Sequence, residues 1–315
     1  NRVEAAAEDA KHETENPTDD ETQITRLFET AIGRWASDLD SSPLLWIHSQ
    51  GLNGKWDAPY EYRCVMCDEG DPDPPKGTEP ANLHVTDETD PDEVFGLTCA
   101  VGGQAIAFDN AWGMIEETLE ELGIADDCLQ ILAGVGGFPC GEHGWVGTGA
   151  EAIYAENLHL PLIVRPAHRM NLGTRVPFIV QPASLLKTMI NWMNPGASAI
   201  GSEVSGVDLV VETDPLPAEH WPTMNQLAYS VFRDQVHVVV PAWSCRWSSD
   251  QNSPMEHIEL FAMPDDRWQQ NEVSQRALHV VDELALQRST WLAWLLSDGQ
   301  APLERLPSEL THPIR

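Results

Sequence analysis

The sequence predicts an α/β fold: a mainly parallel sheet flanked by helices, followed by a small C-terminal antiparallel sheet and a helix. Three observations predict it. As far as Asn194, short apolar runs of strand length alternate with stretches whose apolar residues recur every three or four positions. Beyond Asn194 the apolar runs come close together with no helical stretch between them, as in an antiparallel meander. A chain of 315 residues is long enough to bury the core that such a fold needs.

Residues 1–20 are charged, contain Pro17 and show no apolar period, so they read as a polar leader or surface connection. From residue 21, Ile24, Leu27, Phe28, Ala31, Ile32 and Trp35 mark one buried face of a helix. Leu44-Leu45-Trp46-Ile47-His48 follows Ser42-Pro43 and has the length of a fully buried strand of a parallel sheet. Residues 51–92 turn to Pro, Gly and Asp around Asp71-Pro72-Asp73-Pro74-Pro75, which predicts a long exposed loop. Its start at a strand end is where α/β folds place their sites. Phe108, Trp112, Ile115, Leu119 and Leu122 trace a second amphipathic helix that stops at Gly123. Strands are expected at residues 128–132 and 160–164, and a helix at 182–193. In the C-terminal part, residues 236–240, 243–247 and 258–262 read as short antiparallel strands, with a helix over about 272–296. The expected division is a leader at 1–20, an α/β core at 21–194 and a C-terminal subdomain at 195–315.

Composition excludes several functions. Eighteen Lys and Arg against 50 Asp and Glu give a net charge of −32, a field that repels DNA, RNA and anionic lipid. No apolar run approaches the roughly 18 residues of a membrane-spanning helix. No secretory signal is legible in residues 1–21. Cys64, Cys67, Cys99, Cys128, Cys140 and Cys245 are too sparse and irregular for a disulfide framework. Cys64-Val65-Met66-Cys67 has half the spacing of a zinc site and no second pair; a plain loop or a local disulfide are the other readings.

Several motifs occur in a specific order. Phe138-Pro-Cys-Gly-Glu-His-Gly144 stands just beyond a predicted strand and is followed by Tyr154 and Leu160-Pro-Leu-Ile-Val164. Residues 104–122 carry Asp109 and Gly113 ahead of Glu-Glu-Leu-Gly123, and Ile179-Val-Gln-Pro-Ala-Ser-Leu-Leu-Lys-Thr188 comes later. Pro241-Ala-Trp243, Glu259-Leu-Phe-Ala-Met-Pro-Asp-Asp266 and Asn271-Glu-Val273 close the series. In this order they resemble the sulfatase branch of the alkaline-phosphatase-like superfamily, from about Thr25 to Glu283, the later two-thirds of such a domain. The resemblance implies an alkaline-phosphatase-like α/β fold with a smaller C-terminal sheet. It also implies sulfuric ester hydrolysis, using a formylglycine made within CxPxR and a divalent metal such as calcium.

Against that expectation the residues depart at specific places. No Cys or Ser of this sequence begins a CxPxR or SxPxR motif. Counted back from Gly141-Glu-His-Gly144, the positions of the metal-binding Asp and its neighbouring His or Asn hold Val135 and Gly136, which have no ligand atom in their side chains. The lysine that the family places soon after GEHG is absent, because residues 145–154 contain no Lys or Arg. Ser184 and Lys187 replace the family's Asp and Pro. No metal or cofactor is therefore expected in this chain. The expected function is a sulfatase-like protein without normal turnover; the alternatives are an active sulfatase whose N-terminal half lies outside this sequence, and a non-catalytic module that binds sulfated carbohydrate.

The remaining polar candidates are His48, Asn53, Lys55, Glu142 and His143, with His48 and Lys55 the catalytic candidates. His48 precedes a WDAP-like stretch, Trp56-Asp-Ala-Pro59, and either faces an anion or caps the strand through its ring. Lys55 is one of few positive charges in this half and reads as an anion contact or a solvated lysine. Glu142 and His143 match GEHG and read as ligand contacts or as braces of the turn. Gly134-Val-Gly-Gly137 resembles a phosphate-cradling loop only weakly, because no Lys-Ser/Thr follows it. The family's habit of export suggests an extracytoplasmic location, and an incomplete sheet edge suggests association.

Overall fold

The computed structural model describes residues 22–40, 43–149, 151–169, 175, 179–194, 206–210, 226–249, 256–297 and 305–312. The expectation for residues 1–20 lies outside them. In chain order the elements are α1 (Gln23–Ala36), α2 (Tyr60–Cys64), β1 (Asn82–His84), α3 (Pro91–Glu121), β2 (Gln130–Ala133), β3 (Trp145–Gly147), α4 (Ala155–Leu158), β4 (Leu162–Arg165) and α5 (Pro182–Met193). Strands β5 (Ala228–Phe232), β6 (Gln235–Val240), β7 (Trp243–Ser249) and β8 (Glu256–Ala262) follow, then α6 (Leu278–Leu296) and α7 (Ser308–Thr311). Two compact units divide the chain: Asn1–Cys128 with Phe138–Ala150, and Leu129–Gly137 with Glu151–Arg315. None of the described helices is long and apolar enough to cross a membrane.

In the first unit, α1 forms where its apolar period predicts, and Phe28 and Ile32 bury against Ala111, Ile115 and Leu119 of α3. Helix α3 begins at Pro91, well before the amphipathic stretch that announced it. Asp90 caps it by accepting from Asp92 N at 3.0 Å, and Pro91 fills the first turn, where a missing N–H costs nothing. The early turns bury Gly96, Cys99, Ala100, Gly103 and Ala107, small residues that leave no bulky apolar stripe to read. Their smallness lets α2 lie close: a Cβ on Gly103 would stand 2.8 Å from Arg63 Cγ, and one on Gly102 3.0 Å from Met66 Cγ.

One expectation fails here and another holds only in part. The run at residues 44–48 is extended but belongs to no strand, and it is not fully buried: Leu44 is 52 % and Trp46 68 % exposed, while Leu45 and Ile47 pack on the helical cluster. Period-two alternation buries one row of an extended segment, and the run was apolar on both rows. Residues 51–92 are an exposed loop only in part. They contain a 3₁₀ turn (Gly51–Asn53), α2 and β1, and Trp56 and Ala58 are each 1 % exposed. The buried Arg63 guanidinium holds the segment together by donating to the carbonyls of Pro75, Gly77 (2.8 Å) and Trp56 (2.6 Å).

Every strand pair among the described residues is antiparallel, so the expected mainly parallel sheet is not seen there. Strands β1 and β3 pair in the first unit; in the second, β2 pairs with β4 from Gln130↔Arg165 to Ala133↔Leu162. A parallel partner needs a crossover that returns the chain to its starting end. The stretch between β2 and β4 instead contains only the four-residue α4 as helix, and it turns back where Gly134 N donates to Pro161 O at 2.8 Å.

The C-terminal antiparallel sheet forms as expected, in the order β5-β6-β7-β8. Val238, Val240, Trp243, Cys245, Trp247 and Leu260 on the sheet share a core with Val280, Val281, Leu284 and Trp291 of α6. Helix α5 matches its expected bounds. Helix α6 starts later than expected, at Leu278, because the Glu272 carboxylate takes the N–H groups of Leu260 (3.2 Å) and Ser274 and leaves a 3₁₀ turn at Ser274–Arg276.

A polar group is sealed inside this sheet. His237 is 1 % exposed; its Nε2 lies 2.6 Å from Ser244 Oγ and 3.1 Å from Gln269 Nε2, and its Nδ1 has no partner. Burial, helped by the Arg246 charge, pushes its pKa down to about 3. The imidazole is neutral when folded and titrates normally near 6.5 when unfolded. Its contribution to stability is therefore complete above about pH 6.5 and is lost as pH falls towards about 3, at about 1.4 kcal/mol per pH unit. Urea midpoints measured from pH 7 to 4 are expected to show this acid loss, and His237→Gln is expected to flatten it.

Candidate functional site

The glycine-rich end of β2 is built for packing. A Cβ on Gly134 would stand 2.7 Å from Pro161 Cδ, and one on Gly137 1.9 Å from Glu156 O, so both glycines admit the segment around α4. Gly137 N donates to Asn157 O at 3.3 Å. The helix nearby, α4, has four residues, too few for an anion-holding terminus. The phosphate-loop reading finds no support. Between these glycines the Val135 side chain is 78 % exposed, and Gly136 has open space where a side chain would stand.

The Gly141-Glu-His-Gly144 turn lies in the first unit. Gly141 and Gly144 adopt φ of +112° and +74°, left-handed values that favour glycine, and close the turn through Gly141 N to Trp145 O at 2.9 Å. Glu142 Oε2 accepts from Cys140 N at 2.7 Å beside the bridge Cys140↔Val146. Glu142 thus braces its own turn. His143 is half-buried in it, and Gly144 O accepts from Val85 N at 2.8 Å, tying the turn to the end of β1.

His48, Asn53 and Lys55 are exposed on the segment around the 3₁₀ turn. The WDAP-like stretch beside them is structural. The Trp56 indole donates to Leu52 O at 2.9 Å, and Asp57, 7 % exposed, accepts from Gln23 N at 2.8 Å. Asp57 therefore supplements the Thr22 cap at the N-terminus of α1, where a carboxylate meets unpaired N–H groups and the positive end of the helix dipole. Burial raises its pKa, while the Gln23 hydrogen bond and the Lys55 charge pull it back. The structure brings Glu142 and His143 together in one turn and His48, Asn53 and Lys55 onto one segment.

Other motif positions also serve the fold. Ser184 stands where the family has Asp, and its Oγ accepts from Val207 N at 3.2 Å, while Thr188 Oγ1 accepts from Leu209 N at 2.9 Å. Trp243 donates from its indole to Glu309 O at 3.0 Å. Glu259 joins a buried group with Arg246 and Tyr154 that the motif reading did not foresee. Residue type alone carried no signal that Arg246, thirteen positions earlier, would face it.

Many solved structures resemble the chain, among them the following three. A sulfatase-assigned protein of Bacteroides fragilis superposes with a TM-score of 0.60 at 17 % identity, covering 89 % of this chain and 59 % of its own. The phosphonate monoester hydrolase of Agrobacterium radiobacter gives 0.57 at 15 % identity, covering 90 % and 62 %. A protein solved with its substrate D-glucosamine-2-N,6-O-disulfate gives 0.54 at 17 % identity, covering 69 % and 44 %. The chain has the alkaline-phosphatase-like fold of sulfatases and phosphonate monoester hydrolases. It spans about half the length of these structures. No protein-family model and no curated protein matches the sequence.

The divalent metal that the sulfatase-like fold implies does not fit the side chains present. The side chains of Val135 and Gly136 offer none of the oxygen donors that a calcium-like ion needs, and no group of three His, Cys, Asp or Glu among the described residues is arranged to hold a metal.

Proposed function

We propose that this chain is a sulfatase-like scaffold that does not turn over sulfate esters in the metal-dependent manner of sulfatases. The observation that carries the reading is the end of β2, where an exposed Val135 and a side-chain-free Gly136 occupy the positions matched to metal ligands. Without a Lewis acid the sulfuryl oxygens lack their main counter-charge, and residues 145–154 supply no lysine to replace it. Glu142, the surviving carboxylate of the motif, is engaged by Cys140 N. The test is hydrolysis of 4-nitrophenyl sulfate by the purified chain with and without calcium. The expected rate equals that of a His48→Ala/Lys55→Ala variant and does not respond to calcium; calcium-dependent turnover lost in the variant overturns the proposal.

One observation favours a second reading, binding of sulfated carbohydrate without cleavage. Trp46 and His48 are exposed on the same row of the extended segment, ahead of exposed Asn53 and Lys55. An exposed aromatic face with nearby donors suits a sugar ring and its anionic substituents. The net charge of −32 opposes such a ligand, so binding would be confined to this patch. Affinity for heparin at low salt, lost in Trp46→Ala, supports this reading; no binding at low salt removes it.

A further inference from the structure

Three of the six cysteines meet where α2 lies on α3. Cys67 Sγ stands 3.6 Å from Cys99 Sγ, and Cys64 lies one turn before Cys67, whose N–H donates to Cys64 O at 3.1 Å. The contact is built into the backbone: Gly102 and Gly103, which lack a Cβ, let Met66 and Arg63 approach closely, so α2 and the turn after it lie on α3 beside Cys99. A disulfide needs its sulfurs at about 2.05 Å, roughly 1.5 Å closer than they stand.

We infer that Cys67 and Cys99 form a reversible disulfide that fastens the segment after α2 to α3, with Cys67 as the entry sulfur. Cys67 is half-buried and Cys99 is 2 % exposed, so only the former is open to a reagent. Burial also holds the Cys99 thiol protonated, its pKa pushed up to about 11. The oxidant is a small-molecule disulfide. The Cys67 thiolate attacks one of its sulfurs, the external S–S bond breaks, and the departing thiolate takes a proton from water. Cys99 then gives its proton to solvent and attacks the Cys67 sulfur of the mixed disulfide, releasing the second small thiol. Two protein thiols are oxidised and one external disulfide is reduced to two thiols. The zinc reading of Cys64 and Cys67 lacks a ligand set among the described residues. This inference is independent of the sulfatase-like reading.

The test incubates the full chain with oxidised glutathione, counts thiols after denaturation and maps linked peptides by mass spectrometry. Two of the six thiols are expected to disappear into a Cys67–Cys99 peptide, with a melting temperature raised by roughly 5 °C or more and restored by dithiothreitol. Cys99→Ser is expected to stop with one glutathione on Cys67, and Cys64→Ser to oxidise as the wild type does. Retention of all six thiols, or a Cys64–Cys67 peptide in place of Cys67–Cys99, overturns the inference. The wild-type peptide map decides the question even if a variant fails to fold.

Discussion

Arg246→Met is expected to destabilise the second unit by about 3–5 kcal/mol, the loss that follows when one partner of a buried ion pair is removed. The Arg246 and Glu259 side chains are 9 % and 15 % exposed and in direct contact across β7 and β8. The guanidinium also donates to Gln235 Oε1 through Nε (3.2 Å) and Nη2 (3.0 Å) and to Tyr154 Oη at 3.1 Å, and it lies 4.6 Å from the centre of the Tyr154 ring. Tyr154 in turn donates to Glu259 at 3.0 Å, and Gln235 ties the network to Ile153 N and Glu151 O. Removing Arg246 strands a carboxylate inside the unit and loosens residues 151–154 from the sheet. The Arg246→Met, Glu259→Leu pair is expected to recover most of the loss, because it removes both charges and their desolvation cost. Urea midpoints of the two single variants and the double variant give the coupling directly. Arg288→Met serves as the control: its contact with Glu256 is 3.4 Å and half-exposed, and is expected to matter by less than about 1 kcal/mol.

Arg63→Met is expected to cost about 3 kcal/mol and to open residues 54–80 before the rest of the first unit unfolds. Methionine keeps the aliphatic packing on Gly103 but leaves the carbonyls of Trp56, Pro75 and Gly77 without their donor, the first buried and the other two part-buried, each worth about 1 kcal/mol. Arg63→Lys is expected to rescue little, because one ammonium cannot span three acceptors that a planar fork reaches together. Hydrogen exchange of the Trp56 amide, which donates to Thr78 O at 2.6 Å, reports the local opening separately from global unfolding.

Much of the fold was legible along the chain. The apolar period of residues 23–36, the Pro182 start of α5 and the closely spaced runs from 235 to 262 each announce an element through local spacing and capping. What escaped was carried by small or polar residues. The first half of α3 is helical through glycines and alanines that make no stripe, and the Pro-rich stretch after Gly51 is packed because one arginine satisfies its carbonyls. The candidate residues were legible as types at motif positions. Their duties were not: Glu142 accepts from its own turn and Asp57 caps a helix 34 residues away, and neither distance is written in the spacing.

The sequence by itself determined which side chains stand at the motif positions: Val135 and Gly136 carry no side-chain oxygen or nitrogen, and residues 145–154 carry no lysine or arginine, in any fold. It also determined the elements whose signals are local. Only the tertiary structure decided the pairing of strands, the burial of Arg63 and Arg246, and the meeting of Cys67 with Cys99, because each depends on which distant segment shares the low-dielectric interior with it.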